Sequence, residues 1–253
     1  MCLAAIAWQP ETSSPLTVVA NRDEFRERPT APMHWWADAD ILAGKDLQAG
    51  GTWLGFNRSG LFALLTNIRP GFVGHQAPKS RGHLIRKFLT DNQSIEQFHQ
   101  SVMLDIELYG GFNLILGDME RLFWFNSSLP EGQWLKPGIY GLSNDSLNTP
   151  WPKTELARAQ MKGFFSEPKV SLTESDILTS DQIAEDSRLP QTGVPLEWER
   201  LISAQIITNP QYGTRCRTYI ESHNGLFRIT EQQLAEGGEI TSSCDFQLPY
   251  AAH

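Results

Sequence analysis

The chain has 253 residues, 40% of them hydrophobic and 20% charged, with a formal net charge of −8. This is an ordinary globular balance, long enough to bury a sizeable core. The acidic balance, with no long Lys/Arg run, argues against a nucleic-acid partner, and no stretch approaches the roughly 20 apolar residues needed to cross a bilayer. Leu3 to Trp8 is too short for the apolar region of a signal peptide and lacks a basic start. Cys2, Cys216 and Cys244 form neither a metal spacing nor an even-numbered disulfide framework. A soluble, cytoplasmic protein without an integral membrane segment is the expectation, organised as one domain over residues 1–253.

The chain opens with strands. Leu3–Trp8 and Leu16–Ala20 are apolar runs flanking a turn-like Pro10–Pro15, which predicts a hairpin with a long loop. Gly50-Gly51 punctuates a second pair, Thr52–Asn57 and Leu61–Asn67, joined by Arg58-Ser59-Gly60. Helices follow. Ser80 is a candidate cap for a segment with Leu84, Ile85, Phe88 and Leu89 on one face. Ser94 and Gln97 predict a capping box for a segment with Ile95, Phe98 and Val102. Short strands are expected at Phe112–Leu116, Leu122–Asn126 and Gly138–Leu142. Pro152 suits a first helical turn, with Leu156, Ala159, Met161, Phe164 and Phe165 as the apolar face. Glu167–Pro195 is polar and reads as an excursion, either a surface segment or a lid. Arg215–Ser222 and Leu226–Thr230 flank Asn224-Gly225, a strong hairpin signal. Consecutive strands, helices, strands, a helix and more strands predict α+β layers rather than a βαβ array.

Cys2 is the most informative residue. Once Met1 is removed, one residue carries a thiol and a free α-amine whose pKa of about 7.7–8 makes it a base near neutral pH. Nucleophile and base then share one residue. The competing reading is a small buried residue that opens the first strand. Asn21-Arg22-Asp23-Glu24 follows the second apolar run and is expected at a sheet end, beside Cys2 if the two strands pair. There Asp23 can orient the amine and Arg22 can favour a thiolate. Asn67, Asn144 and Arg215 recur at other predicted strand ends. An Asn N–H can donate to the oxyanion of a tetrahedral intermediate, and an Arg can fix the nucleophile or a substrate carboxylate. Each position also has an ordinary structural reading, since Asn at strand ends satisfies turn backbone.

Together these residues resemble the NRDE family, also called transport and Golgi organisation protein 2-like. The motifs run nearly the whole chain: Met1-Cys2, Asn21-Arg22-Asp23-Glu24, Gly50-Gly51-Thr52-Trp53-Leu54-Gly55, Ser80-Arg81-Gly82, Gly141-Leu142-Ser143-Asn144, Pro150-Trp151-Pro152-Lys153 and Tyr212-Gly213-Thr214-Arg215-Cys216. The resemblance implies an N-terminal nucleophile hydrolase-like fold, a four-layer αββα arrangement of two stacked antiparallel sheets between helices. A more distant similarity is to choloylglycine hydrolases and penicillin V acylases, onto whose pattern Cys2, Asp23, Asn67, Asn144 and Arg215 fall in order as catalytic residues. The pattern departs at the early Arg: Ala20 occupies its place, and Arg22 follows Asn21 instead. Eukaryotic relatives are linked to Golgi organisation, lipid metabolism and haem movement, none of which names a reaction.

Two functions follow as expectations. The first is a cysteine hydrolase acting on a non-peptide carbon–nitrogen bond or an acyl thioester, its partner a small acyl amide or thioester substrate. Cys2 attacks, Asp23 orients, Asn67 and Asn144 hold the oxyanion, Arg215 fixes the nucleophile, and Arg22 and Trp53 contact the substrate. The second is a non-catalytic carrier of a lipid, acyl or haem ligand, with Trp35, Trp36 and Trp53 lining the cleft. No cofactor or metal is expected: the chain has no Cys-x-x-Cys-His motif, and His34 is the one histidine worth considering for haem.

Overall fold

A computed structural model of the chain describes residues 2–69, 77–91, 93–166 and 170–250. The expected removal of Met1 lies outside the described residues. The first two strands, β1 (Cys2–Trp8) and β2 (Leu16–Phe25), pair antiparallel as the apolar runs predict. β2 extends further than expected. The polar Asn21–Glu24 motif is strand rather than a loop after it, because Asn21 and Arg22 pair with both β1 and β11 (Tyr212–His223), and Asp23 and Glu24 continue the pairing with β11.

β1 and β2 lie inside a six-stranded sheet, which β11 continues with β12 (Leu226–Leu234) and β13 (Ile240–Pro249) and β10 (Gly138–Leu142) closes on the other edge. The turn between β11 and β12 places Asn224 and Gly225 at φ 48° and 77°, as an Asn-Gly hairpin requires. The second sheet is a seven-stranded meander of β3 (Thr30–Trp35), β4 (Leu42–Asp46), β5 (Leu54–Phe56), β6 (Phe62–Asn67), β7 (Phe112–Gly117), β8 (Leu122–Asn126) and β9 (Leu129–Trp134). Every strand pairing in both sheets is antiparallel.

The period of two in β1 and β2 sorts their side chains between two cores. Ala4, Ile6, Leu16 and Val18 meet Leu64 and Ile115 of the other sheet in the interlayer. Leu3, Ala5 and Val19 point the other way, onto α3 (Pro152–Ser166). On the far face of the second sheet, α1 (Gly82–Thr90) and α2 (Ile95–Met103) bury Leu84, Ile85, Phe88 and Phe98 against Phe112 and Phe125. The layers therefore run helix, sheet, sheet, helix, an α+β fold with two stacked antiparallel sheets. No helix among the described residues is long and apolar enough to cross a membrane.

Ser94 and Gln97 form the predicted capping box at α2. Ser80 does not cap α1: Arg81 holds that position and its side chain makes no cap bond. The apolar face of α3 also differs. Leu156 and Phe165 are exposed, and the buried positions are Lys153, Thr154, Ala157 and Met161. They recur at helical spacing, but the face begins at a lysine, which hydrophobic periodicity does not select. The polar segment before α4 (Leu196–Leu201) is packed only in its first described part, where Leu172, Ile177 and Leu178 bury against α3 and the first sheet; residues 179–195 are half-buried or exposed.

Candidate active site

At one end of the sheet pair a cavity of about 340 Å³ opens between the layers. Cys2, Arg22, Asp23, Trp53 and Asn67 line it, so five of the seven sequence-derived site residues share one space. Cys2 and Arg22 are directly opposed across β1 and β2. Because alternate residues face alternate sides, Arg22 and Glu24 continue the interlayer face while Asn21 and Asp23 belong to the α3 side. Asn21 accordingly does structural work there. Its Nδ2 donates to the carbonyls of Leu178 (3.0 Å) and Gln205 (2.8 Å), and its Oδ1 accepts from Arg217 Nε at 3.1 Å.

Asp23 is 1% exposed, and its Oδ1 accepts from Thr214 Oγ1 at 2.7 Å. Its backbone carbonyl accepts from the Tyr212 hydroxyl at 3.1 Å. Burial raises its carboxyl pKa, opposed by the charge of Lys153 and the Thr214 hydrogen bond. Lys153 is the buried lysine of α3. Its Nζ donates to the Ile202 carbonyl at 2.8 Å, and burial, aided by Arg69, lowers its pKa to about 7. Behind it Arg69 pairs with Glu199 at 3.0 Å and lies 4.7 Å over the Trp151 ring. Arg69 and Tyr212 also line the cavity. Sequence reading did not separate this buried set from structural polarity. One signal was available: a lysine in the first turn of a helix opposes the helix dipole, so it needs a partner outside the helix.

Arg22 stacks 4.3 Å over Trp53, donates to Thr30 Oγ1 at 3.1 Å, and lies 3.7 Å from Glu24 and 3.9 Å from Asp46. Its expected activation of the thiol is outweighed. Burial raises the Cys2 pKa, Asp23 and Glu24 add to this, and Arg22 opposes it only in part.

Asn67 ends β6 at the cavity wall. Asn144 is fully buried and does not line the cavity; its Nδ2 donates to the Asn67 carbonyl at 2.9 Å, tying the end of one sheet to the other. Arg215 is also placed elsewhere than expected. The pairing of β2 with β11 passes from Thr214↔Asp23 to Cys216↔Arg22, leaving Arg215 as the extra residue of a β-bulge. Its Nη1 reaches the carbonyls of Phe25, Arg26 and Arg28 at 2.9–3.2 Å, so it clasps the turn after β2 rather than lining the cavity.

Trp35 and Trp36 do not line the cavity. Trp36 is buried toward α1 and donates to the Ala43 carbonyl, and Trp35 lies under Arg58. His34 is exposed, its Nδ1 2.7 Å from the Pro32 carbonyl. Among the described residues no group of three or more His, Cys, Asp or Glu side chains is arranged to hold a metal. The remaining wall comes from a close backbone contact. A Cβ on Gly51 would fall 2.5 Å from the Gly82 carbonyl carbon, so the glycine lets the loop before β5 seat against the start of α1 and brings Arg81 to the cavity.

The family model "Transport and Golgi organisation 2" matches residues 1–236. The Transport and Golgi organization 2 homolog of Mus musculus is 30% identical over 270 residues, covering 93% of this chain and 94% of the relative. The Homo sapiens homolog is 32% identical over 264 residues with the same coverage. Among solved structures, the mutant C2A conjugated bile acid hydrolase from Clostridium perfringens is similar at a TM-score of 0.39 and 10% identity, covering 100% of this chain and 99% of that one. Matched by the family model over residues 1–236 and by relatives at 30–32% identity over 93% of its length, this chain belongs to the Transport and Golgi organisation 2 family.

Proposed function

We propose that this chain is a cysteine hydrolase of non-peptide amides or acyl thioesters, with Cys2 as nucleophile. The observation that carries the reading is the juxtaposition of a half-buried Cys2 with Arg22, Asp23 and Asn67 around one cavity at the end of two sheets. After removal of Met1, the Cys2 α-amine takes the thiol proton as Sγ attacks the acyl carbonyl. A thiol held above its ordinary pKa needs such a base, because little thiolate exists without it. Asn67 donates to the oxyanion, and Asn144 acts as a positioning residue through the Asn67 backbone. The α-ammonium returns the proton as the carbon–nitrogen or carbon–sulfur bond breaks. Water then attacks the acyl-enzyme, gives its proton to the amine, and the thiol is released with that proton. Asp23, held by Thr214, orients the amine. Arg215 contributes by fixing the turn after β2, and Arg22 and Trp53 form the substrate wall.

The competing reading is a non-catalytic carrier that holds an acyl or lipid ligand in the same cavity. The deciding experiment is intact-mass analysis after exposure to acyl electrophiles, comparing wild type with Cys2→Ala, followed by a panel of short acyl amides and thioesters. Acylation confined to Cys2, with turnover lost in Cys2→Ala, supports the hydrolase. Absence of acylation and turnover, with equal acyl-lipid binding by both proteins, supports the carrier.

A further inference from the structure

The charged groups of the cavity pair off, with one cation left over. Arg28 contacts Asp46 at 2.8 Å and Glu24 at 4.0 Å, and Arg22 sits between the same two carboxylates, so two arginines meet two acids. Arg69 is matched by Glu199. Asp23 and Lys153 are each other's charge complement. Arg81 has no carboxylate within 4.0 Å among the described residues. It is half-buried, lines the same cavity as Cys2, and uses one Nη1 hydrogen bond to the Gly111 carbonyl at 3.1 Å. A guanidinium has five donors in a planar fork. Leaving them partly desolvated without an anion is costly unless a ligand completes the set.

We propose that the cavity selects acyl substrates bearing an oxyanion, a carboxylate or a phosphate, which Arg81 receives while the acyl carbon lies at Cys2. The inference rests on the hydrolase reading for its orientation and gives that reading a substrate class. Burial lowers the Arg81 pKa, offset by Glu24 and Cys2, in keeping with a cation whose solvation has been taken away and not fully replaced. A bidentate pair with an incoming oxyanion replaces it. Neutral acyl amides of the same size make no such contact.

Two measurements test this. The first compares alkylation of Cys2 by iodoacetate and by iodoacetamide, reagents of similar size that differ in charge, using peptide mapping and a small free thiol as reference. In wild type the iodoacetate-to-iodoacetamide rate ratio at Cys2 is expected about 10-fold or more above that of the reference thiol, the size of one charge-assisted hydrogen bond. Arg81→Gln should return the ratio to the reference, and Arg81→Lys should keep part of it. The second uses Cys2→Ala protein, in which no acylation occurs. N-hexanoylglycine or N-hexanoyl-O-phosphoethanolamine should bind about 10-fold or more tightly than neutral N-hexanoylglycine methyl amide, with the preference lost in Cys2→Ala/Arg81→Gln. Which acid binds better tells carboxylate from phosphate. A wild-type alkylation ratio at or below the reference, or equal binding of acidic and neutral probes, overturns the oxyanion assignment. If neither reagent labels Cys2 while the acidic probes still bind through Arg81, the nucleophile assignment fails and the anion site stands.

Discussion

Across β1 and β2, the residue pairs facing the second sheet run Trp8↔Leu16, Ile6↔Val18, Ala4↔Ala20 and Cys2↔Arg22. The first two pairs fill the interlayer with large apolar side chains that are fully or almost fully buried, and there the sheets close on each other. The alanine pair leaves less bulk between the layers, and the last pair is polar and borders the cavity. Backbone pairing is continuous throughout, so the difference lies entirely in side chains. Size and polarity along one strand face decide where two sheets seal and where they leave room for a ligand.

This contrast is tested by exchanging the effects of mutation at its two ends. The largest expected effect is on chemistry at the open end. Cys2→Ala should abolish acyl-enzyme formation and turnover, while costing about 1 kcal/mol of stability or less, since it removes only a thiol at a strand terminus. At the closed end, Ile6→Ala should do the reverse, costing about 2–5 kcal/mol in chemical denaturation because it empties a fully buried site. Its effect on turnover should be small at temperatures where the variant stays folded. If Ile6→Ala lowered activity as much as Cys2→Ala, the two ends would not be separable.

Asn144→Ala is expected to act between these extremes. It removes the link from β10 to the Asn67 carbonyl, so kcat should fall, by less than the about 10²-fold of a directly deleted oxyanion donor, with a smaller change in KM. An equal loss in kcat and thermal stability alone would reduce Asn144 to a structural tie.

Lys153 sharpens the comparison through pH. Its folded-state pKa, about 7, lies below its ordinary value of 10.5. Between these two pH values the unfolded chain binds a proton that the folded chain does not, so stability from this group rises as pH increases across that window. Lys153→Met should remove this rise, measured as the difference in denaturation midpoint between pH 7 and 10. An unchanged slope would show that Lys153 keeps its proton inside the fold. The smallest effect is expected from Thr214→Val, which deletes the hydroxyl donor to Asp23 and should cost about 1–3 kcal/mol while raising the carboxyl pKa further.

The sequence by itself determined the layered class, most of the central strands and the family. Apolar runs at Leu3–Trp8 and Leu61–Asn67, the Ser94 capping box and the Asn224-Gly225 turn are local signals, each backed by backbone chemistry that neighbours do not override. It also singled out Cys2, Asp23, Asn67, Arg22 and Trp53, which the fold collects around one cavity. Tertiary structure alone decided the rest. The edge strands β3 and β9 were not legible, because their half-exposed residues lack a clear alternation. Asn144 and Arg215 stand in the right order along the chain, yet a cross-sheet tie and a β-bulge send their side chains to backbone carbonyls instead of the cavity. Arg81 and Lys153 stand in family motifs, but nothing in the sequence separates them, or Arg69, from charged residues that default to the surface. Their significance arises from desolvation and from which carboxylates come within reach, and both depend on residues more than a hundred positions apart, such as Arg69 and Glu199, meeting in space.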